Sequence, residues 1–196
     1  MSSAEHTFLF CDLVGFTALA DAEGDERAAT VAAALQRRVK GVAAEHRADV
    51  VKCMGDAAMV RCDDPARAVR FALRLVEVVD SDRELPPVRV GIHSGSAVSH
   101  EGDWFGRAVN VASRLCHVAA GGEVLVSEAT LARATGLRRV AIGERRLHWL
   151  KNVTEPVPAR IAEGERRFGF AQRLRLTSCP LWPDRSSHAT VGGAAS

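Results

Sequence analysis

Long hydrophobic runs are missing from this 196-residue chain, and none approaches the ~20 apolar residues that are needed to span a bilayer. The first residues, MSSAEHTFLFC, also lack a basic segment ahead of their short apolar stretch, so they do not have the pattern of a signal peptide. We therefore expect a protein without membrane insertion that is located in the cytoplasm.

A marked excess of one charge is missing as well. Lysine plus arginine number 26 against 24 acidic residues, which is too balanced to indicate nucleic-acid binding on electrostatic grounds. The five cysteines and seven histidines are dispersed without a CxxC spacing, so neither a zinc site nor a disulfide framework is expected. Lysine itself is scarce, with only Lys40, Lys52 and Lys151, so each lysine carries more information than an arginine.

What is present is an alternation of strand and helix patterns that contains one hairpin. Gly55-Asp56 between two short apolar runs indicates the hairpin, and Pro65 indicates the first turn of a helix. Strands are predicted at 7–11, 50–52, 57–61, 88–92 and 123–126, helical segments at 17–46, 65–79 and 108–119, a short helix from 127, a polar loop at 94–102, and short strands through Lys151 to about 162.

This order of elements predicts an α+β fold. A hairpin inside an alternating pattern is typical of a ferredoxin-like, split-βαβ core, in which helices cover a mostly antiparallel sheet. We expect residues 1–162 to form that domain. Residues 163–196 contain five arginines and end in small residues, and we expect them to form an appendage outside the core.

Two aspartates form the first candidate site. Asp12 ends an apolar strand and Asp56 lies at the predicted hairpin tip, so their carboxylates could converge on a hard cation that holds phosphates. Gly15, Phe16 and Thr17 follow closely and would present backbone N–H groups and a helix N-terminus to a triphosphate. The alternative interpretation is a helix cap at Asp12 and an ordinary turn residue at Asp56.

Asn110 and Arg114 form the second candidate site. They are four residues apart and therefore share one face of the predicted helix, where an amide and a guanidinium suit a sugar and a phosphate. A solvated helix face is the alternative interpretation. Trp104 and Phe105, just before this helix, are interpreted as core or interface aromatics.

Four motifs in order give the chain a specific resemblance. FCDLVGFT (10–17), KCMGD (52–56), RVGIHSG (89–95) and DWFGRAVNVASR (103–114) together resemble the catalytic domain of class III nucleotide cyclases over about residues 5–162. Segment 94–102 is shorter than the arm of many cyclases, and in this the chain resembles the short-arm bacterial subgroup. The GG(D/E)EF turn of diguanylate cyclases is absent, as are the GxxxxGK(S/T) and GxGxxG motifs.

The resemblance implies a role for each matching residue. Asp12 and Asp56 would hold two divalent cations, Mg²⁺ or Mn²⁺, with the Leu13 carbonyl as a further ligand. Lys52 and Asp103 match the pair that binds the purine, and Asn110 and Arg114 match the residues that orient the ribose and stabilise the transition state. Arg89 and Lys151 fall where the family has triphosphate-binding cations, Lys151 in the weakest local motif.

The implied reaction is attack of the ribose 3′-oxygen of ATP on the α-phosphate, giving 3′,5′-cyclic AMP and pyrophosphate. Lysine donates and aspartate accepts, which complements adenine at N1 and the 6-amino group and mismatches guanine. The family shares each site between two protomers, so the resemblance implies a homodimer with ATP as substrate. A guanylate cyclase, or a nucleotide-binding module without turnover, is the competing interpretation.

Overall fold

The structure is a computed structural model and describes residues 5–164. Its strands are β1 (Glu5–Leu13), β2 (Asp49–Met54), β3 (Ala57–Cys62), β4 (Val88–Ser96), β5 (Val98–His100), β6 (Asp103–Phe105), β7 (Val124–Ser127), β8 (Val140–Ile142), β9 (Arg146–His148) and β10 (Val157–Gly164). Its helices are α1 (Phe16–Glu23), α2 (Asp25–His46), α3 (Pro65–Asp80), α4 (Arg107–Val118) and α5 (Glu128–Leu131).

The central sheet has the strand order β2-β3-β1-β4-β7-β10-β8, with β9 also paired to β10. Its pairings are antiparallel except for β4 beside β7, which are parallel. The α+β fold with a mostly antiparallel sheet flanked by helices is therefore confirmed. The edge strands β5 and β6 pair only with each other in the described chain and form a small separate hairpin.

Helices cover both faces of the sheet because strand side chains alternate in direction. Leu9, Cys11 and Leu13 of β1 belong to a buried cluster with apolar residues of α2 and α3. Phe8, on the other face, belongs to a cluster with Ala108 and Ala112 of α4. Most of the central strand β1 is thus buried, and its end carries the half-buried Asp12.

Helix α4 packs unusually close to β4, and a glycine permits this approach. A Cβ built at Gly91 would lie 2.1 Å from the backbone nitrogen of Cys116, so no side chain fits there. Gly91 therefore fixes the depth of α4 on the sheet. At the start of α3, Pro65 takes the first turn as expected, and the Asp64 side chain accepts from the Ala66 N–H at 2.8 Å.

Two expectations about local structure are wrong. Segment 94–102 is not a loop, because β4 continues to Ser96 and residues 98–100 pair with 103–105. Lys151 lies in a turn rather than a strand. The helical segment 17–46, by contrast, forms the two consecutive helices that the predicted order of elements contains; they meet at Gly24, whose φ of 85° lies in the left-handed region.

The expected domain limit falls just short of the last strand. Strand β10 runs to Gly164, which pairs with Val140 of β8, two residues past the expected boundary. The remainder of the expected appendage, residues 165–196, lies outside the described residues. No helix within residues 5–164 is long and apolar enough to cross a membrane.

Candidate active site

The end of β1 brings the two predicted metal ligands together. The Leu13 N–H donates to the backbone carbonyl of Asp56 at 3.2 Å, which holds the β2–β3 hairpin tip against the end of β1. Burial raises the pKa of the Asp56 carboxyl, and the neighbouring Asp12 charge raises it further. The hairpin tip and the end of β1 thus bring the two carboxylates near each other, as the sequence predicted.

Arg89 contacts Asp12 in this structure. Asp12 and Arg89 are opposite each other in the β1–β4 ladder. The Arg89 Nε and Nη2 groups donate to Asp12 Oδ2 at 2.8 and 2.5 Å, and Nη1 donates to the His117 carbonyl at 2.9 Å. A cation expected at the triphosphate therefore neutralises a predicted metal ligand instead.

The donor set at this end of the sheet fits a cation that is bound together with a substrate. Within residues 5–164 no cluster of three or more histidine, cysteine or acidic side chains surrounds a common point. Asp12 and Asp56 supply two hard carboxylates, which is the usual protein share for Mg²⁺ held with phosphates and water. The residues present therefore fit divalent cations that enter with a nucleotide better than a closed protein cage.

Helix α1 begins immediately beside these carboxylates. Gly15 is its N-cap residue with a φ of 81°, a conformation that favours glycine, and its carbonyl accepts from the Leu19 N–H at 3.0 Å. No side chain caps this terminus, so the N–H groups of Phe16 and Thr17 are not used by a cap. Uncapped N–H groups at a helix start can bind phosphate oxygens.

Lys52 of β2 and Asp103 of β6 meet as a second ion pair. Lys52 Nζ donates to Asp103 Oδ2 at 2.5 Å, and the side chains are 40% and 28% exposed. The Trp104 N–H donates to the other carboxylate oxygen, Asp103 Oδ1, at 2.8 Å. The hydrogen bond from Lys52 lowers the pKa of Asp103, so this carboxylate is ionised near neutral pH.

Asn110 and Arg114 lie one turn apart on α4, as predicted, but away from the carboxylates. The buried face of α4 consists of Ala108, Val111, Ala112, Leu115 and Cys116, whereas Asn110 is exposed and Arg114 half-buried. Arg89 binds Asp12 through its guanidinium and accepts from the Cys116 thiol through its carbonyl at 3.5 Å, so Asp12 lies near the covered side of this helix. Within one chain, the side chains of Asn110 and Arg114 therefore do not point toward the carboxylates of Asp12 and Asp56.

Lys151 is exposed in a turn after the buried Leu150. No ion pair or side-chain hydrogen bond connects Lys151, Asn110 or Arg114 with another predicted site residue in the described part of the chain. The structure thus assembles Asp12, Leu13, Asp56 and Arg89 in one group and Lys52 with Asp103 in another.

The sequence missed the residues that support these groups. Trp104 packs against His6, with ring centroids 4.5 Å apart, and Arg61 lies over the Trp104 ring. The Asp12–Arg89 pair was also missed, because it depends on the β1–β4 register. The aromatic residue directly after Asp103 was the only sequence signal for the Trp104 contacts. No local pattern indicated the Asp12–Arg89 pair.

The mostly antiparallel α+β sheet, with carboxylates at the end of its central strand and a Lys–Asp pair at its edge, agrees with the resemblance to class III nucleotide cyclases. A model of the adenylate and guanylate cyclase catalytic domain matches residues 2–148. The chain belongs to this family. A pH-sensitive adenylate cyclase of Mycobacterium tuberculosis is 42% identical over 154 residues, which cover 74% of this chain and 38% of that protein.

Further relatives agree with this assignment. An adenylate cyclase of Streptomyces griseus is 38% identical over 120 residues, covering 61% of this chain and 30% of that protein. The chain thus spans less than two-fifths of the length of these relatives. The crystal structure of the adenylyl cyclase CyaB from P. aeruginosa superposes with a TM-score of 0.73 at 20% identity, covering 85% of this chain and 98% of that one, and shows the shared fold.

Proposed function

We propose that this domain is an adenylate cyclase that converts ATP to 3′,5′-cyclic AMP and pyrophosphate. The observation that carries the proposal is the Lys52–Asp103 pair, which presents a donor and an acceptor 2.5 Å apart at the sheet edge. The catalytic-domain family and the 42% identity to a protein named as an adenylate cyclase support it.

The purine preference follows from hydrogen-bond complementarity. Lys52 would donate to the adenine N1 atom, and Asp103, which is ionised, would accept from the 6-amino group. Guanine presents a donor at N1 and an acceptor at O6, so both contacts would be mismatched. A site that leaves its own polar groups unpaired rejects the wrong base strongly. ATP is therefore the favoured substrate.

The reaction forms a bond between the 3′-oxygen and the α-phosphorus. It breaks the bond between the α-phosphorus and the oxygen that bridges to the β-phosphate, and it releases the 3′-hydroxyl proton to solvent. Divalent cations on Asp12, Asp56 and the Leu13 carbonyl would lower the pKa of the 3′-hydroxyl and neutralise the leaving group. The α1 N-terminus at Gly15, Phe16 and Thr17 would bind phosphate oxygens through its N–H groups.

The cationic side chains would then act on the triphosphate and on the charge that develops. Arg89 would exchange Asp12 for phosphate oxygens, which also accept two guanidinium hydrogen bonds. Lys151 would add a second cation at the triphosphate. Asn110 would orient the ribose, and Arg114 would donate to the α-phosphoryl oxygens as their charge increases.

We also propose that each site is shared between two copies of the chain. The position of Asn110 and Arg114 supports this, since they lie off the buried face of α4, whereas Asp12 is paired with Arg89, which contacts Cys116 on that buried face. Val98 and Phe105 face each other across the β5–β6 hairpin and are 46% and 53% exposed, which is typical of a surface that a partner covers. A symmetric homodimer would contain two equivalent sites.

The purified domain incubated with ATP or GTP, and with Mg²⁺ or Mn²⁺, tests the activity directly. Cyclic AMP and pyrophosphate in equal amounts are the expected products from ATP, with much less cyclic GMP from GTP. A preference for GTP would favour a guanylate cyclase. ATP binding without any cyclic product would show a nucleotide-binding module without turnover.

Mixing two inactive variants tests the shared site. Asp12→Ala removes a metal ligand and Arg114→Ala removes the opposite half, so each homodimer is inactive. After subunit exchange, about half of the dimers are mixed and each has one intact site, so the mixture should regain roughly a quarter of wild-type activity. Confirmed exchange without recovery would place the whole site within one chain.

A further inference from the structure

The β5–β6 hairpin carries Asp103, yet it is not part of the central sheet. Its two strands have three residues each and pair only with each other among the described residues. An isolated two-stranded hairpin is marginally stable in water, so side-chain contacts must hold it in place. The Lys52–Asp103 pair is one such contact, but both side chains are partly exposed and such pairs contribute little stability.

Trp104 makes the stronger connection between β6 and the central sheet. Its ring lies edge to face with His6 at 4.5 Å between centroids and is tilted over Phe8 at 5.7 Å. The Arg61 guanidinium lies 5.2 Å from the centroid of the same ring, which is a cation–π contact. Residues of both β1 and β3 thus surround one side chain of the hairpin.

The residues that contact Trp104 are themselves held in position. Arg61 forms ion pairs with Asp49 and with Asp63, the latter at 3.0 Å. His6 Nδ1 lies 3.0 Å from the same Asp63 oxygen. The Trp104 ring therefore lies against sheet residues that have further polar partners of their own. We call His6, Phe8 and Arg61 the tryptophan receptor.

We propose that Trp104 is a positioning residue that sets the base selectivity of the site through Asp103; this inference rests on the proposed function. The backbone N–H of Trp104 donates to Asp103 Oδ1 at 2.8 Å. Contacts that hold the indole ring in place therefore also orient the adjacent carboxylate. Its second oxygen then meets Lys52 at 2.5 Å. Without the anchored ring, the carboxylate loses its fixed direction, and the donor–acceptor pattern that distinguishes adenine from guanine is weakened.

The test compares ATP and GTP kinetics of Trp104→Leu, Trp104→Phe and the wild type. Trp104→Leu should raise KM for ATP more than it lowers kcat, and should reduce the ATP:GTP ratio of kcat/KM by roughly tenfold. Trp104→Phe keeps an aromatic ring in the tryptophan receptor and should restore most of the selectivity.

Val76→Ala is the matched control, because Val76 is buried on α3 in the cluster on the opposite face of the sheet. It lowers Tm without touching the hairpin, so its ATP:GTP ratio should equal that of the wild type. An unchanged ratio in Trp104→Leu, with a Tm loss like that of Val76→Ala, would reduce Trp104 to a stability role and overturn the proposal.

Arg61→Gln provides a second variant in case Trp104→Leu does not fold. It removes the cation above the ring and leaves Phe8 and His6, so we expect a shift in the ATP:GTP ratio of about threefold in the same direction. A ratio identical to that of the wild type would contradict the proposal.

A fluorescence measurement checks the anchor without any turnover. The chain has three tryptophans, so Trp149→Phe with Trp182→Phe leaves Trp104 as the only emitter. Adding Arg61→Gln should then increase acrylamide quenching of Trp104, and unchanged quenching would contradict the anchor. A wild-type protein that forms no cyclic AMP would refute the proposed function, whereas intact quenching differences would still support the anchor.

Discussion

The candidate site contains two ion pairs of the same shortest N–O distance, and the proposed mechanism uses them in opposite ways. Lys52 meets Asp103 at 2.5 Å, and Arg89 meets Asp12 at 2.5 Å. In the proposed mechanism the first pair already has its working arrangement, because its donor and acceptor face the purine together. The second pair must open, because Asp12 is a metal ligand and Arg89 a triphosphate contact.

The difference reflects what each pair would recognise. A neutral base requires a donor and an acceptor side by side, which an ion pair supplies without rearrangement. A triphosphate with its cations brings charges of both signs, so each member of the Asp12–Arg89 pair can exchange its partner for a ligand of the same charge type. The base-binding half is thus preorganised, and the phosphate-binding half is held closed by its own charges.

Asp12→Ala or Asp56→Ala should produce the largest effect, because either change removes one of two carboxylates and, within residues 5–164, no cluster of three or more metal-binding side chains offers a replacement. Cyclic AMP formation should fall by roughly 10³-fold or more while the fold persists. Asp82→Ala, which breaks the distant Arg38–Asp82 ion pair, is the matched control and should stay near wild type. Substantial turnover by a folded Asp56→Ala protein would remove Asp56 from the metal site.

Arg114→Ala tests the stabilisation of the transition state and leaves both ion pairs intact, since Arg114 belongs to neither. We expect kcat to fall by about 10²–10³-fold, with little change in KM, because Arg114 acts on charge that develops during the reaction. Asn110→Ala should behave similarly. Steady-state kinetics distinguish the alternatives, and a raised KM with normal kcat would assign Arg114 to ground-state binding.

Lys52→Glu with Asp103→Cys would alter the base-binding pair and leave Asp12–Arg89 intact. The ATP:GTP ratio of kcat/KM should fall by about 10²-fold, although GTP turnover could stay slow in absolute terms. Lys40→Glu repeats the lysine-to-glutamate substitution at the exposed lysine of α2 and should leave the ratio unaltered. If the double variant kept its ratio, these two residues would not read the purine.

Arg89→Ala should open the phosphate-binding half before any nucleotide arrives. Freed from its guanidinium, Asp12 should bind Mn²⁺ about fivefold more tightly in the absence of nucleotide, since one partly exposed ion pair no longer competes. Electron paramagnetic resonance titration of free Mn²⁺ measures this directly. Lys52→Ala, which removes the cation of the other pair, is the control, and a gain of equal size there would refute the comparison.

The smallest expected effect is a constant base selectivity over pH. The hydrogen bond from Lys52 keeps the pKa of Asp103 below its ordinary value of 3.8, so the stabilisation from this ion pair is present above that value and is lost only as pH falls below it. The ATP:GTP ratio should therefore be the same at pH 8 and pH 6. A ratio that changes within this interval would show that another titrating group reads the base.

Local sequence patterns were sufficient to predict most helices and strands and to select the candidate site residues. The helical period of Val69, Val76 and Val79 predicted α3, and Pro65 predicted its start, because both features act within one helix. Segment 94–102 was predicted less well. Its polar residues indicated a loop, but residues 98–100 find partners in 103–105, and that hairpin is stabilised by Trp104 in contact with β1 and β3.

The sequence alone determined three features, since each depends on spacing within one element. These are Asp12 at the end of an apolar strand, Asp56 at a hairpin tip, and Asn110 four residues before Arg114. Only the tertiary structure decided that Arg89 faces Asp12, that Trp104 enters its receptor, and that Lys151 lies in a turn. Those features depend on strand register and on contacts between residues far apart in sequence, which residue type and spacing do not encode.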